Sequence, residues 1–252
     1  LNQRNFINRD WRSARTGHTR RQTMANQTGG FGLRSTYTLG STPAPQGLSE
    51  YPIESAPGIG IYQNDPVNLQ GTGGSDGYLQ DASASTMDDG VAGGNAWKIN
   101  LSTLQPMIGV VNGAFYVDST TSKPTWANFV AASQAFGTNY NTGSSDGVGF
   151  VNDYPFQEYV VKCDASVAIA KMLGTLTYNV NDGATGTSGT DEYSGQSIIT
   201  LDIGSETATG TAQAALMIVR VANDPLNADN SATNSNVVVK FAPGSIGRLI
   251  VS

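Results

Sequence analysis

The chain has 252 residues, carries a net charge of −6 with only 13 % charged residues, and contains 30 glycines, one cysteine and one histidine. That length can bury a full core without a disulfide or metal staple, and a lone Cys163 excludes an intrachain disulfide. The shortage of Glu, Lys and Arg argues against long amphipathic helices, whose water-facing side needs them.

Residues 1–23 stand apart. Six arginines (Arg4, Arg9, Arg12, Arg15, Arg20 and Arg21) face Asp10 alone, a net of +5, which leaves −11 on residues 24–252. Met24-Ala25-Asn26 resembles a protein start and Leu1 does not. The segment is therefore expected either as a basic extended arm on an acidic partner or as an over-extended reading frame. The division expected is an arm over 1–24 and a single β-rich domain over 25–252.

From Gly29 onward short apolar runs alternate with turn residues. Gly29-Gly30-Phe31-Gly32 reads as a flexible turn where the arm ends, since no strand precedes it and no phosphate-binding lysine follows. Candidate strands are Gly60–Tyr62, Val67–Gln70, Trp97–Leu101, Ile108–Val111 and Ala114–Asp118, the last two parted by Asn112-Gly113. Trp126–Phe136 reads as the one short helix, with Trp126, Phe129, Val130, Ala132 and Phe136 on roughly one side. Further strands are expected at Gly149–Val151, Glu158–Cys163, Leu176–Val180, Ile198–Ile203, Ala215–Val221 and Val237–Phe241. Ile199, Leu201 and Ile203 alternate with Thr200 and Asp202, the period of a half-buried strand. Leu216–Val219 and Val237–Val239 are unbroken apolar runs suited to burial on both faces. The fold class expected is all-β: one β-barrel or β-sandwich with long polar loops, at most one short helix and an extended N-terminal arm.

Chemistry-bearing patterns are few. His18 lies in the arm, which removes the usual general base from the rest of the chain, and one Cys with one His does not make a zinc site. Asp88-Asp89 and Asp191-Glu192 read as solvated loop acids. A hydrolase would need two convergent acids of strongly perturbed pKa in a cleft. Asn179, Asn181, Asp182 and Gly183, and then Asn227, Asp229 and Asn230, imitate parts of a calcium loop but lack its closing Glu; turn formation explains both. No cofactor or metal is expected. No apolar run is long enough for a membrane helix, and −11 on the main part repels nucleic acid. Cys163 sits in an apolar run and is expected as a buried, inert thiol.

Four segments, in order and spacing, resemble a known family. They start at Gly30-Phe31-Gly32-Leu33-Arg34. Ile61-Tyr62-Gln63-Asn64-Asp65-Pro66-Val67 then looks like a G-D-P-V strand entry with Asn64 in place of Gly. Ile108–Gly113 and Ala114–Asp118 are followed by Lys123-Pro124-Thr125-Trp126. Finally, Phe150–Tyr159 is close to V-x-D-D-P-x-x-x-F-E-V, with Tyr154 inserted between the acid and Pro155. Together they resemble the capsid decoration, or cement, proteins of tailed bacteriophages, a type common in marine phages, over about residues 30–165. The resemblance implies a β-rich domain that oligomerises on the outer capsid lattice, and it implies no catalytic residue.

The expectation is thus a virion protein of the capsid surface, bound to the phage major capsid protein and homo-oligomeric, with a trimer favoured. The contact residues expected are Arg4, Arg9, Trp11, Arg12 and Arg15 on the arm, with Phe31, Arg34, Trp126, Tyr154 and Phe156 beyond it. Alternatives are another virion part (major capsid, tail or host-binding fibre protein) or a β-scaffold hydrolase.

Overall fold

A computed structural model describes residues 26, 29–38, 42–43, 48–70, 77–81, 107–139, 143–167, 176–181, 190–191, 195–208, 216–224, 227 and 232–242. In chain order the strands are β1 (Arg34–Thr38), β2 (Thr42–Pro43), β3 (Ser49–Ile53), β4 (Ile61–Tyr62), β5 (Pro66–Leu69) and β6 (Leu79–Asp81). Next come β7 (Met107–Val117), β8 (Pro124–Ala127), β9 (Phe129–Val130), β10 (Gly147–Asn152) and β11 (Gln157–Lys162). The series continues with β12 (Leu176–Asn181), β13 (Thr190–Asp191), β14 (Gln196–Ser197), β15 (Thr200–Ala208), β16 (Leu216–Val221) and β17 (Asn236–Phe241). The protein is all-β, with no helix among the described residues.

Two antiparallel sheets carry the fold. The first runs β15-β12-β16-β17-β11-β1-β2, and the second runs β3-β10-β7-β5-β6 with β8 beside β7. The first sheet curls until Cys163, just past β11, forms a single parallel bridge with Leu201 of β15. One bridge is not a ladder, so this sheet rolls without closing, and the architecture is sandwich-like rather than a barrel.

Each sheet buries its own core. Tyr159, Tyr178, Leu201, Leu216, Ile218, Val237 and Val239 pack inside the first. Ile53, Val67, Leu79, Val111, Ala114, Tyr116 and Val151 pack under the second, beneath the small β4–β9 pair. β7 serves both, because Met107 and Val110 enter the first core while Val111 and Ala114 enter the second. A bulge makes this possible. Phe150 pairs with Gly113 and Val151 with Val111, leaving Asn112 unmatched, and Gly113 takes φ 152°. The two strands expected on either side of Asn112-Gly113 are therefore one bulged strand.

The expected helix over Trp126–Phe136 is replaced by β8, a bend at Asn128, β9 and a turn. Its apolar residues do not share a face: Trp126 is 71 % exposed, whereas Val130 and Phe136 are buried. The segment's hydrogen bonds go sideways. β8 pairs with β7 and β9 with β4, while the carbonyls of Ala132 and Gln134 accept from the Gly58 and Ala56 amides. Tyr62 stacks on Phe129 and Tyr116 on Phe136, which fixes the segment from the other side.

Gly29–Gly32 is also corrected, since from Gly30 onward it is clamped rather than free. A Cβ on Gly30 would lie 1.8 Å from the Ile198 carbonyl oxygen, and one on Gly32 (φ +70°) 2.6 Å from the Asn64 carbonyl oxygen. The Gly32 amide donates to Ile199 O and the Leu33 amide to Asn64 O. The strand expected at Trp97–Leu101 lies outside the described residues. Strands β1, β3, β6 and β8 carry too few apolar residues to announce themselves in the sequence.

Candidate interaction surface

The β10–β11 corner is stiff because its polar groups satisfy one another. Asn152 Nδ2 donates to Ser35 Oγ and to Gln157 Oε1, each at 3.2 Å. Gln157 Nε2 donates to Tyr37 O at 3.0 Å, and Tyr159 Oη donates to Asn152 O at 3.2 Å. Tyr51 Oη holds Asp153 Oδ2 at 2.8 Å. Burial then pushes the Tyr159 phenol far above its usual range, with the nearby Asp153 charge adding to the rise.

On this rigid corner sit most of the large apolar side chains that face water among the described residues. Tyr154 is 41 % and Phe156 49 % exposed, and their rings meet edge to face at 5.7 Å. Strand register brings Leu48 and Tyr37 to the same corner. Ser49 pairs with Val151, so Leu48 lies one residue further toward the corner, and Tyr37 precedes Thr38, the partner of Gln157. Leu48 is 37 % and Tyr37 46 % exposed.

Trp126 belongs to a second surface, the outer face of the sheet around β7. Cross-strand pairing sets Pro52, Val148, Phe115 and Trp126 in one row. Trp126 stacks on Phe150 at 5.0 Å and meets Phe115 at 4.9 Å.

Phe31 and Arg34 take a packing role. Phe31 covers Val160, Ala222 and Val238 on the outer face of the seven-stranded sheet, and Asn64 Nδ2 donates to its carbonyl. The Arg34 guanidinium lies 4.9 Å from the Phe31 ring centroid and 3.9 Å from Asp224. Of the expected contact residues, the structure brings together Tyr154 with Phe156 and Phe31 with Arg34, and keeps Trp126 on its own face. Arg4, Arg9, Trp11, Arg12 and Arg15 lie outside the described residues. Tyr37 and Leu48 had no distinguishing sequence signal, since only strand register carries them to the corner.

Acids and the thiol complete the chemistry. Asp88-Asp89 and the second calcium-like cluster beyond Asn227 lie outside the described residues, as do Asp182, Gly183 and Glu192. Among the described residues no three His, Cys, Asp or Glu side chains gather to hold a metal. Asp65 and Asp81 do converge, yet they are 1 % and 0 % exposed, so no substrate reaches them. Asn68 does not join them, because Val67 pairs with Asp81 while Asn68 pairs with Gln80, on the opposite face. Cys163 is fully buried and burial pushes its thiol up to about 12, which keeps it an unreactive core residue. Comparison with known proteins found no matching family, no similar curated protein and no similar solved structure.

Proposed function

We propose that this chain is a structural protein of a phage virion that binds the outer surface of the capsid lattice and stabilises it as a decoration or cement protein. The observation that carries the reading is the corner of Tyr37, Leu48, Tyr154 and Phe156. Four large side chains stay in water on a backbone braced by five hydrogen bonds. Aromatic anchors held rigidly before binding lose little entropy on docking, which is the economy of an interface hot spot. The partner is the major capsid protein, and a homo-oligomer, a trimer by preference, would repeat the corner around a lattice axis. Docking across neighbouring subunits stabilises the assembled shell over free subunits by linkage.

The test is made on purified particles. Tryptic peptides of this chain at capsid-like copy number, and bursting at lower temperature in particles without it, are the results expected. Absence from the particle overturns the virion reading. Presence with equal bursting thresholds overturns the stabilising role alone.

A further inference from the structure

Strands β11 and β17 set a lysine opposite an asparagine. Lys162 is the register partner of Asn236. Two residues away on each strand Val160 pairs with Val238, and both lie under Phe31 on the outer face of the seven-stranded sheet. Side chains alternate along a strand, so Lys162 and Asn236 leave the sheet on that same face. Opposite Cβ atoms stand about 5 Å apart, well within reach of the four-carbon stem of lysine. Both residues are only 4 % exposed. Lys162 Nζ does not extend into water, but lies 5.7 Å from the Phe31 ring centroid.

Asp224, just past β16, completes the group. Its Oδ2 accepts from Asn236 Nδ2 at 3.0 Å and lies 3.9 Å from Arg34 Nη2. Arg34 in turn lies 4.9 Å from the Phe31 ring centroid, on the same face as Lys162. The backbone of Asn236 is pinned. Its amide donates to Asn227 Oδ1 at 2.9 Å, and its carbonyl accepts from the Ala222 amide and from Asn227 Nδ2. Its side-chain Oδ1, by contrast, is buried and accepts no hydrogen bond. A buried amide oxygen left in that state is costly, and such atoms concentrate where a protein does chemistry.

We propose that Lys162 and Asn236 join through an isopeptide bond, formed once the chain has folded, with Asp224 as the proton carrier. The ammonium first gives a proton to water, and the lone pair of the neutral amine attacks Asn236 Cγ. Asp224 takes a proton from the attacking nitrogen and passes it to Nδ2, the atom it already holds. The Cγ–Nδ2 bond then breaks, ammonia leaves, and an Nζ–Cγ amide remains. The exchange is redox-neutral and needs no co-reactant. Burial favours the neutral amine, against the pull of the Asp224 carboxylate. Fixed placement of the two groups replaces a chance encounter. The product exchanges a buried ammonium for a neutral amide and ties β11 to β17 across everything from β12 to β16, which restricts the unfolded chain as a disulfide would.

Intact mass and tryptic mapping of the purified, folded full chain test the bond. The wild type is expected to be lighter than its sequence by one ammonia. A branched peptide, uncut after Lys162, should join the stretches that hold Lys162 and Asn236. Lys162→Met removes the nucleophile, and Asp224→Asn keeps both reacting groups without the proton carrier; both are expected at full sequence mass. On a denaturing gel the wild type should run ahead of both, because its loop stays closed. A wild-type mass equal to that of the sequence, or linear peptides ending at Lys162, overturns the proposal. An ammonia loss that persists in Lys162→Met overturns it too, since the loss then lies elsewhere. Full bond formation in Asp224→Asn overturns the role of Asp224 alone. If neither variant folds, the wild-type branched peptide still decides.

Discussion

Gly30 is the most closely approached of the described glycines. The Cβ that alanine would add at Gly30 meets Ile198 O at 1.8 Å and Ile198 C at 2.4 Å. Both are backbone atoms, so no rotamer change relieves the clash and the two backbone segments must part. Gly30→Ala is expected to cost about 3 kcal/mol, read as a lowered urea midpoint. Gly29 supplies the control. It has φ +92° but nothing within 4 Å of its Cβ position, so Gly29→Ala adds only left-handed strain of about 1 kcal/mol. Equal effects of the two substitutions would contradict the close packing. In the sequence these glycines look alike, and two adjacent glycines suggest freedom. What distinguishes them is the approach of Ile198, a contact spanning more than 160 residues that no local pattern encodes. Asp81 is a similar case: it reads as a loop acid, and only the ladder placing it opposite Val67 makes it a buried partner of Asp65.

Elements were legible where the period of the apolar residues matched one buried face. Ile199, Leu201 and Ile203 are buried while Thr200 and Asp202 are less so, as the alternation requires. Val237, Val238 and Val239 are all buried, the first and third in the core and the second under Phe31. The reading of Trp126–Phe136 as a helix failed for a physical reason. The apolar residues there serve three different neighbours, β7, β4 and solvent, and a periodicity test assumes one. Trp126 and Phe136 now make opposite predictions to those of a helix, on which they would share a face. Trp126→Ala should cost about 1 kcal/mol, the worth of an exposed aromatic stack across strands. Phe136→Ala empties a buried site beside Tyr116 and should cost about 4 kcal/mol. Thermal melts of the two variants check the ordering, and equal losses would argue for a shared face after all.

For the whole molecule, the question is which surface meets a partner. Charge alone points to residues 1–23, at +5 against −11 for the rest, and long-range attraction of that kind speeds encounter more than it fixes geometry. Geometry points instead to two apolar surfaces, the Tyr154–Phe156 corner and the Trp126 face, which differ in construction. The corner is anchored by Asn152, Gln157 and Tyr51 and keeps four side chains in water. Trp126 is a single exposed ring resting on Phe115 and Phe150, whereas the corner offers four exposed side chains. On the capsid-binding proposal, Tyr154→Ala combined with Phe156→Ala should therefore weaken binding to capsids lacking the protein by about 2 kcal/mol, roughly thirtyfold in Kd. The melting temperature should stay near the wild-type value, because neither ring is buried. Trp126→Ala should weaken binding less than threefold. Co-sedimentation with such capsids measures both variants. A large loss confined to Trp126→Ala would move the docking surface to the outer face of β7 and β8. Loss in neither variant would leave the corner without a role in capsid binding.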